Sequence, residues 1–301
     1  MIEASPLRAR HLPALAALWT QARAQQGEAC PISVREIEDH VLLHGGEPRA
    51  ILAIDPRGWI VVRSGDALLG FVHCTVGRLQ ADDPETLRGI LRALVVAPDA
   101  PAAAIKVLLR AADVYFRAKN NLTNIIAFHL HTGYPRLNHG RGVVGNTQWA
   151  LMDALGDAGY HLTRRWLFYR RDFDDIIPEH LPRLPGLKLQ WDEKMDEGFT
   201  LSVWSELDFV ARARFMIFPQ SSECDAPRVA SLYHLEVVPD YQHHGVGRWL
   251  LERGANHLIS HGVYRLLEDA SHEDALMQSR LLHLGFRECE LRGYTYEKDH
   301  A

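Results

Sequence analysis

Between Leu232 and Leu251 the chain reads LYHLEVVPDYQHHGVGRWLL. A strand-forming run stops at Pro239, and Gln242-His243-His244-Gly245-Val246-Gly247 opens a pattern of helical period. Two glycines in Q-x-x-G-x-G spacing at a helix start leave backbone N–H groups unshielded and aimed along the helix axis, where an anion is stabilised. The expected ligand is a pyrophosphate. Glycines here also suit a tight strand-to-helix turn that binds nothing, so the flanking pattern decides between the two.

The same arrangement occurs twice. Leu91 to Asp99, LRALVVAPD, aligns without gaps on Leu232 to Asp240, LYHLEVVPD, with Leu, Leu, Val, Pro and Asp shared at five of nine positions. Both runs continue into a helix, and each half places a Gly-aromatic pair, Gly159-Tyr160 and Gly285-Phe286, before its last strand. Gln242, Gly245 and Gly247 correspond to Pro101, Ala104 and Lys106. Proline has no N–H to donate, and a methyl group stands where an anion needs bare backbone. The first half is therefore expected to have lost its anion site.

A strand is expected at Ile2 to Leu7 and an amphipathic helix from Arg10 to Ala24, with Leu12, Leu15, Ala16, Leu18 and Trp19 on one stripe. Ser33 and Glu36 have capping-box spacing for a second helix that Gly45-Gly46 stops. A hairpin turning at Ser64-Gly65-Asp66, a strand from Leu91 to Val96, a helix to Lys119 and a strand from Ile125 to Leu130 follow. Pro178, Pro182, Pro185 and Gly186 then interrupt the chain, which sets the domains at 1–178 and 179–301. Beyond them the order recurs: Leu187 to Trp191, a hairpin of Gly198 to Trp204 and Phe209 to Phe218, a strand at Val229 to Val238, a helix to His261, a strand at Tyr264 to Glu268, a helix near Asp274 to His283 and a strand near Leu291 to Glu297. The second half has no counterpart of the two helices that the first places between Leu7 and Gly58.

At 301 residues, 47% hydrophobic and 24% charged, the chain has the composition of two globular domains. A net charge of −5 and the lack of a basic run with interleaved aromatics disfavour nucleic-acid binding. No 18-residue apolar stretch or leader pattern is present, so no membrane association and a cytoplasmic location are expected. Cys30, Cys74, Cys224 and Cys289 are far apart and read as ordinary thiols.

Together, the strand, V-x-P-x-x-Q-x-x-G-x-G and the later L-G-F at Leu284 to Phe286 resemble the GNAT acyltransferase superfamily, strongly over 187–297 and by topology over 1–175. The resemblance implies an α/β (α+β) fold of two tandem GNAT-like domains, each a mixed, mostly antiparallel sheet flanked by helices, similar in topology to the mycothiol synthase arrangement. It implies acetyl-CoA as co-substrate, with its pyrophosphate on Gln242, His243, His244, Gly245, Val246 and Gly247. Val237 and Val238 would pair their backbone with the pantetheine arm, and Arg248 is a candidate countercharge or a merely solvated side chain. The implied reaction is transfer of an acetyl group to a small amine by direct attack on the thioester; the alternative is a non-catalytic acyl-CoA binder or sensor. The sequence leaves the oligomeric state open.

Acyl transfer to an amine needs a proton acceptor. Glu236 lies within the apolar run Leu235 to Val238, where desolvation would raise its pKa towards neutrality, and its first-half counterpart is Val95. A glutamate on a solvent-facing strand position is the competing reading. Period-two alternation puts His234 on the same side as a second candidate. The family often carries a tyrosine acid four residues before the glycine of L-G-F; here that position is Leu281, so either the thiolate takes its proton from water or a group such as Ser271, His272 or Tyr294 substitutes.

Two further motifs carry less. Gly140-Arg141-Gly142-Val143-Val144-Gly145 fits G-x-G-x-x-G but lacks the preceding strand and the later acidic residue of a dinucleotide site. His129-x-His131 would share a strand face, but no third ligand lies nearby in sequence, so polar lining is favoured over a metal site.

Overall fold

A computed structural model describes residues 2–24, 31–42, 50–80, 82–134, 141–194, 198–218 and 228–300. In chain order the elements are β1 (Ile2–Pro6), α1 (Leu12–Ala24), α2 (Val34–Ile37), β2 (Ala50–Leu52), β3 (Trp59–Ser64), β4 (Ala67–Leu79), β5 (Arg88–Val96), α3 (Ala103–Arg117), β6 (Asn124–Ala127), β7 (Val144–Gly145), α4 (Trp149–Asp157) and β8 (His161–Asp172). The second series is β9 (Leu187–Lys194), β10 (Gly198–Ser205), β11 (Asp208–Ile217), β12 (Arg228–Val237), α5 (Val246–Ser260), β13 (Val263–Ser271), α6 (Ala275–His283) and β14 (Arg287–Asp299). Apart from an exchange of β8 and β14, each series forms a mixed, mostly antiparallel sheet with flanking helices.

The chain divides into two compact units, and the division cuts through strands. Residues 292–300 belong with 2–165, while 166–172 belong with the second unit. The reason is pairing: Tyr296 to Asp299 of β14 run antiparallel to β6, and Trp166 to Asp172 of β8 run antiparallel to β13. The last strand thus closes the first unit's sheet, and the Pro-rich segment 178–186 lies inside the second unit.

In the first unit β1, β3, β4 and β5 pair antiparallel in that order, and β5 pairs parallel with β6. The expected turn is made by Gly65 at φ 58°. α1 buries its predicted stripe beside Trp59, Phe71 and Tyr134. α2 begins with the expected reciprocal cap: the Glu36 N–H donates to Ser33 Oγ (3.1 Å) and the Ser33 N–H to Glu36 Oε2 (2.9 Å). A wider π turn follows over Glu38–Leu42, and Gly45-Gly46 lies outside the described residues.

In the second unit β9, β10, β11 and β12 pair antiparallel and β12 pairs parallel with β13. α5 packs Val246, Leu250, Leu251, Ala255, Leu258 and Ile259 against Phe199, Leu201, Ala213, Phe215 and Leu232. Each buried Val, Leu or Ile contributes roughly 1.5–3 kcal/mol. The helix comes close enough that a Cβ on Gly254 would stand 2.2 Å from the Phe215 ring.

Both sheets carry a bulge at the same repeat position. β4 pairs His73 with Ala93 and Cys74 with Leu91, skipping Arg92; β11 pairs Arg214 with His234 and Phe215 with Leu232, skipping Tyr233. Arg92 and Tyr233 occupy one column of the alignment of Leu91 to Asp99 on Leu232 to Asp240. The duplication therefore extends to an irregularity of the backbone.

Candidate functional site

β12 and β13 pair only from Arg228 to Ser231, the last partners being Ser231 and Leu267. Beyond that point β12 continues to Val237 bonded to β11 alone, and β13 continues to Ser271 bonded to β8. The two parallel strands have splayed. The Val238 N–H donates to Val210 O (2.9 Å), so ladder alternation turns the Val237 N–H and C=O towards the opening. The Gln242 side chain folds back to donate from Nε2 to Val237 O (3.0 Å).

The loop between β12 and α5 is exposed from Gln242 to Gly245. Two of its residues are left-handed, His243 at φ 64° and Gly245 at φ 86°, which turns the chain sharply into the helix. Gly245 is the N-cap and supplies no side-chain cap, so the first-turn amides from Val246 to Arg248 have no intrahelical acceptor. Such a terminus can hold an anion. Gly247 serves packing: a Cβ there would lie 3.3 Å from Val237 Cγ2, joining the helix closely to the strand that borders the opening.

The proline-rich segment secures this helix. Glu252, whose side chain is 6% exposed, accepts from the His180 N–H (2.7 Å), His180 Nδ1 (2.8 Å) and Arg248 Nε (2.7 Å). Burial pushes the Glu252 carboxyl up, but the donors on His180 and Arg248 outweigh it and hold it below its ordinary range. Asn256 bonds both the N–H and C=O of Ile177, and the Arg183 N–H donates to His244 O (3.2 Å) within the glycine loop. Arg248 is thus an ion-paired member of the helix anchor whose side chain remains 55% exposed.

The sheet face away from α5 is polar. Leu235 and Val237 point towards α5, so His234 and Glu236 point the other way, with His234 Nε2 3.2 Å from Glu236 Oε2. The apolar neighbours of Glu236 in sequence therefore face the opposite side, and its side chain is 49% exposed. The expected desolvation of this carboxylate is not present. Leu281 is 1% exposed within the core, while Ser271 and His272 end β13 beside the opening and Gln278 Nε2 donates to both of their carbonyls (3.0 Å each). Tyr294 belongs to the first unit, paired with Val144. Sequence reading missed Glu268, a buried carboxylate one residue beyond the last β12–β13 pair; its place in an apolar-looking strand gives no signal until the splay is known.

The first unit handles the equivalent opening differently. β5 and β6 pair through Leu91 and Ala127, and β6 stops there because Phe128 turns left-handed at φ 61°. The following segment folds against β5, where the bulged Arg92, 2% exposed, donates from Nε to Thr132 O (2.8 Å) and from Nη2 to Gly133 O (2.9 Å). Its guanidinium also covers the Tyr134 ring, which bonds His73 beneath Trp59. α3 starts at Ala102 in right-handed geometry with Ala104 fully buried, and Lys106 pairs with Asp157 (3.0 Å). Here Arg92 ties the segment after β6 to β5, and no glycine opens α3.

His129 and His131 do not share a strand face, because β6 has ended: His129 caps a 3-10 turn, accepting the His131 N–H at Nδ1 (3.2 Å). No cluster of three metal-ligating side chains occurs among the described residues. Of the G-x-G-x-x-G run, Gly140 lies outside the described residues, Gly142 permits close approach to His129 O, and Val144–Gly145 forms β7 against β14. Cys74 is a buried free thiol; Cys30 and Cys224 lie outside the described residues. No described helix is long and apolar enough to cross a membrane.

A splayed parallel pair, a strand bulge and a glycine loop opening a helix, present beside a closed copy of the same plan, define a tandem GNAT fold. Comparisons agree. Residues 164–286 match the model of the acetyltransferase (GNAT) family. Over 99% of its length the chain superposes on 98% of a tandem GNAT protein from the clavulanic acid biosynthesis pathway, with TM-score 0.71 and 14% identity. A GCN5-related N-acetyltransferase from Sphaerobacter thermophilus gives TM-score 0.62 and 11% identity, covering 99% of this chain and 95% of that one. A glucosamine N-acetyltransferase region in a fungal multi-domain GH3 β-N-acetylglucosaminidase gives 0.68 and 13%, covering 99% of this chain and 38% of that one. Identities this low speak for the fold alone. No curated protein matches the sequence.

Proposed function

We propose that the chain is an acetyl-CoA-dependent N-acetyltransferase acting on a small amine, with domains corresponding to 1–178 and 179–301 apart from the exchanged strands. The observation that carries this reading is the opening between β12 and β13 next to an uncapped α5 N-terminus. Amides of the loop from Gln242 to Gly247 take the pyrophosphate, with Arg248 at the edge. The Val237 C=O, which also accepts from Gln242, receives a pantetheine amide, and Val238, whose own N–H is committed to Val210, supplies apolar contact. The acetyl thioester then lies in the opening.

The acceptor approaches on the face opposite α5, where Glu236 and His234 stand together. Its ammonium proton passes to Glu236 directly or through water, the amine nitrogen bonds to the carbonyl carbon and gives up a second proton to water, and the C–S bond breaks to release the thiolate. The carbonyl oxygen draws on the Val237 N–H. Ser271 or His272 is placed to return a proton to the thiolate from the end of β13.

A second reading, a non-catalytic acyl-CoA binder, draws on Leu281: the position at which this family often carries a tyrosine acid is a core leucine. Two measurements separate them. Acetyl-CoA at a hundred times its Kd should stabilise the fold by about 2.7 kcal/mol, read as a rise in Tm; no rise at millimolar acetyl-CoA sinks both readings. Free-thiol release across an amine panel then divides enzyme from binder. Turnover lowered by Glu236→Gln supports the base, and unimpaired turnover removes it from that role.

A further inference from the structure

We infer that the acceptor carries a carboxylate as well as its amine, and that Arg212 and Arg214 bind it. This rests on the acyl-transfer reading of the same site and goes further by naming the substrate class. Arg212 stands directly across from Glu236, and Arg214 across from His234, on the polar face of β11 and β12. Directly opposed residues of an antiparallel pair have Cβ atoms roughly 4.5–5.5 Å apart, within easy reach of an ion pair. None forms. Glu236 instead contacts His234, while the Arg212 guanidinium lies 5.0 Å from the centre of the Phe209 ring and that of Arg214 5.1 Å from the centre of the Tyr233 ring.

Among the described residues, neither guanidinium has a hydrogen bond or an ion pair. A cation–π contact restrains each guanidinium without using its N–H donors, which stay available to a carboxylate. The remaining groups in the two cross-strand rows are Ser202 and Gln190 beside Arg212, and Thr200 and Asp192 beside Arg214. Asp192 is two strands away, at roughly 9–10 Å, too far to neutralise Arg214. One exposed face thus presents two free cations beside a carboxylate–imidazole pair. An amino acid complements it, its carboxylate on the arginines and its ammonium on Glu236, which orients the nitrogen for attack. An amine without the carboxylate leaves the arginines unused.

The test uses the full chain with acetyl-CoA and matched acceptor pairs: glycine with methylamine, β-alanine with ethylamine, lysine with cadaverine, phenylalanine with phenethylamine. Thiol release should give a kcat/KM at least tenfold higher for the carboxylate member of a used pair, expressed mainly in KM, as expected for charge-assisted hydrogen bonds. Arg212→Gln and Arg214→Gln should bring that ratio down towards one, and Arg214→Lys should restore part of it. Equal or better use of the decarboxylated amines overturns the inference, as does a ratio unchanged in both glutamine variants. A preference for phosphoethanolamine over β-alanine overturns it in favour of a phosphate. Failure of the parent reading looks different: acetyl-CoA then produces no Tm rise, or no amine of either kind releases thiol, and the inference falls with it.

Discussion

Replacing Glu252 by alanine should loosen the glycine loop without touching it. The carboxylate accepts three hydrogen bonds, two from His180 and one from Arg248, and its side chain is 6% exposed. Hydrogen bonds to a charged acceptor are worth about 1.5–3 kcal/mol each. The His180 and Arg248 side chains are more than half exposed and regain water when the carboxylate goes, so the sum is discounted to about 2–3 kcal/mol for the second unit. With a urea m-value of about 2 kcal/mol/M, the midpoint of that unit should fall by about 1–1.5 M. The sign against pH is also fixed. A carboxyl held below its ordinary value of 4.5 gives stability that is present above that value and lost as pH falls through the folded pKa. The gap between parent and Glu252→Ala should therefore be full at pH 7 and shrink below about pH 4. Because Arg183 of the same segment bonds His244, acetyl-CoA should bind more weakly to the variant. A urea midpoint within error of the parent at pH 7 would refute the anchoring argument.

Gly245→Ala should cost about 1–2 kcal/mol through its left-handed φ and reduce the acetyl-CoA-induced Tm rise, whereas an unaltered rise places the anion elsewhere. Burial, aided by Arg164, lowers His129 from 6.5 to about 4. The folded form stays neutral while the unfolded chain takes up a proton, so stability of the first unit should drop by roughly 3 kcal/mol between pH 6.5 and 4. Denaturant titrations of His129→Gln should show a shallower pH slope than the parent, and parallel slopes would refute the assignment. Calorimetric titration should give one acetyl-CoA per chain, and Ala104→Gly with Lys106→Gly should not raise it to two, because Arg92 still closes the first opening.

Much of the second unit was legible because its signals are local. The Q-x-x-G-x-G run, the strand before it and the helix after it are contiguous, and glycine at Gly245 reports a backbone angle directly. The placement of Glu236 was legible only in part. Alternation pairs it with His234, as found, but its apolar neighbours in sequence imply apolar surroundings that are absent, because Leu235 and Val237 lie on the other face of the strand. The strand exchange was not legible at all, since β14 and β8 find their partners through long-range pairing that no local pattern encodes. For the same reason His129 and His131 were given a strand that Phe128 ends by a positive φ, a conformation that the residue type does not announce.

The bulge column shows why one copy closed while the other stayed open. A bulge leaves its residue out of the ladder and re-aims its side chain. In the first unit that residue is Arg92, whose guanidinium reaches two backbone carbonyls of the segment after β6 and stacks on Tyr134, so closure satisfies several buried polar groups at once. In the second it is Tyr233, whose ring supports Arg214 on the exposed face instead. An open cleft without its glycine loop would keep a solvated strand edge but lose the close-lying helix-terminus amides that hold an anion. The filled cleft and the degenerate loop are therefore best understood as one change: once 128–134 had folded over β5 and Arg92 had bonded it, an open anion loop above α3 had nothing left to serve.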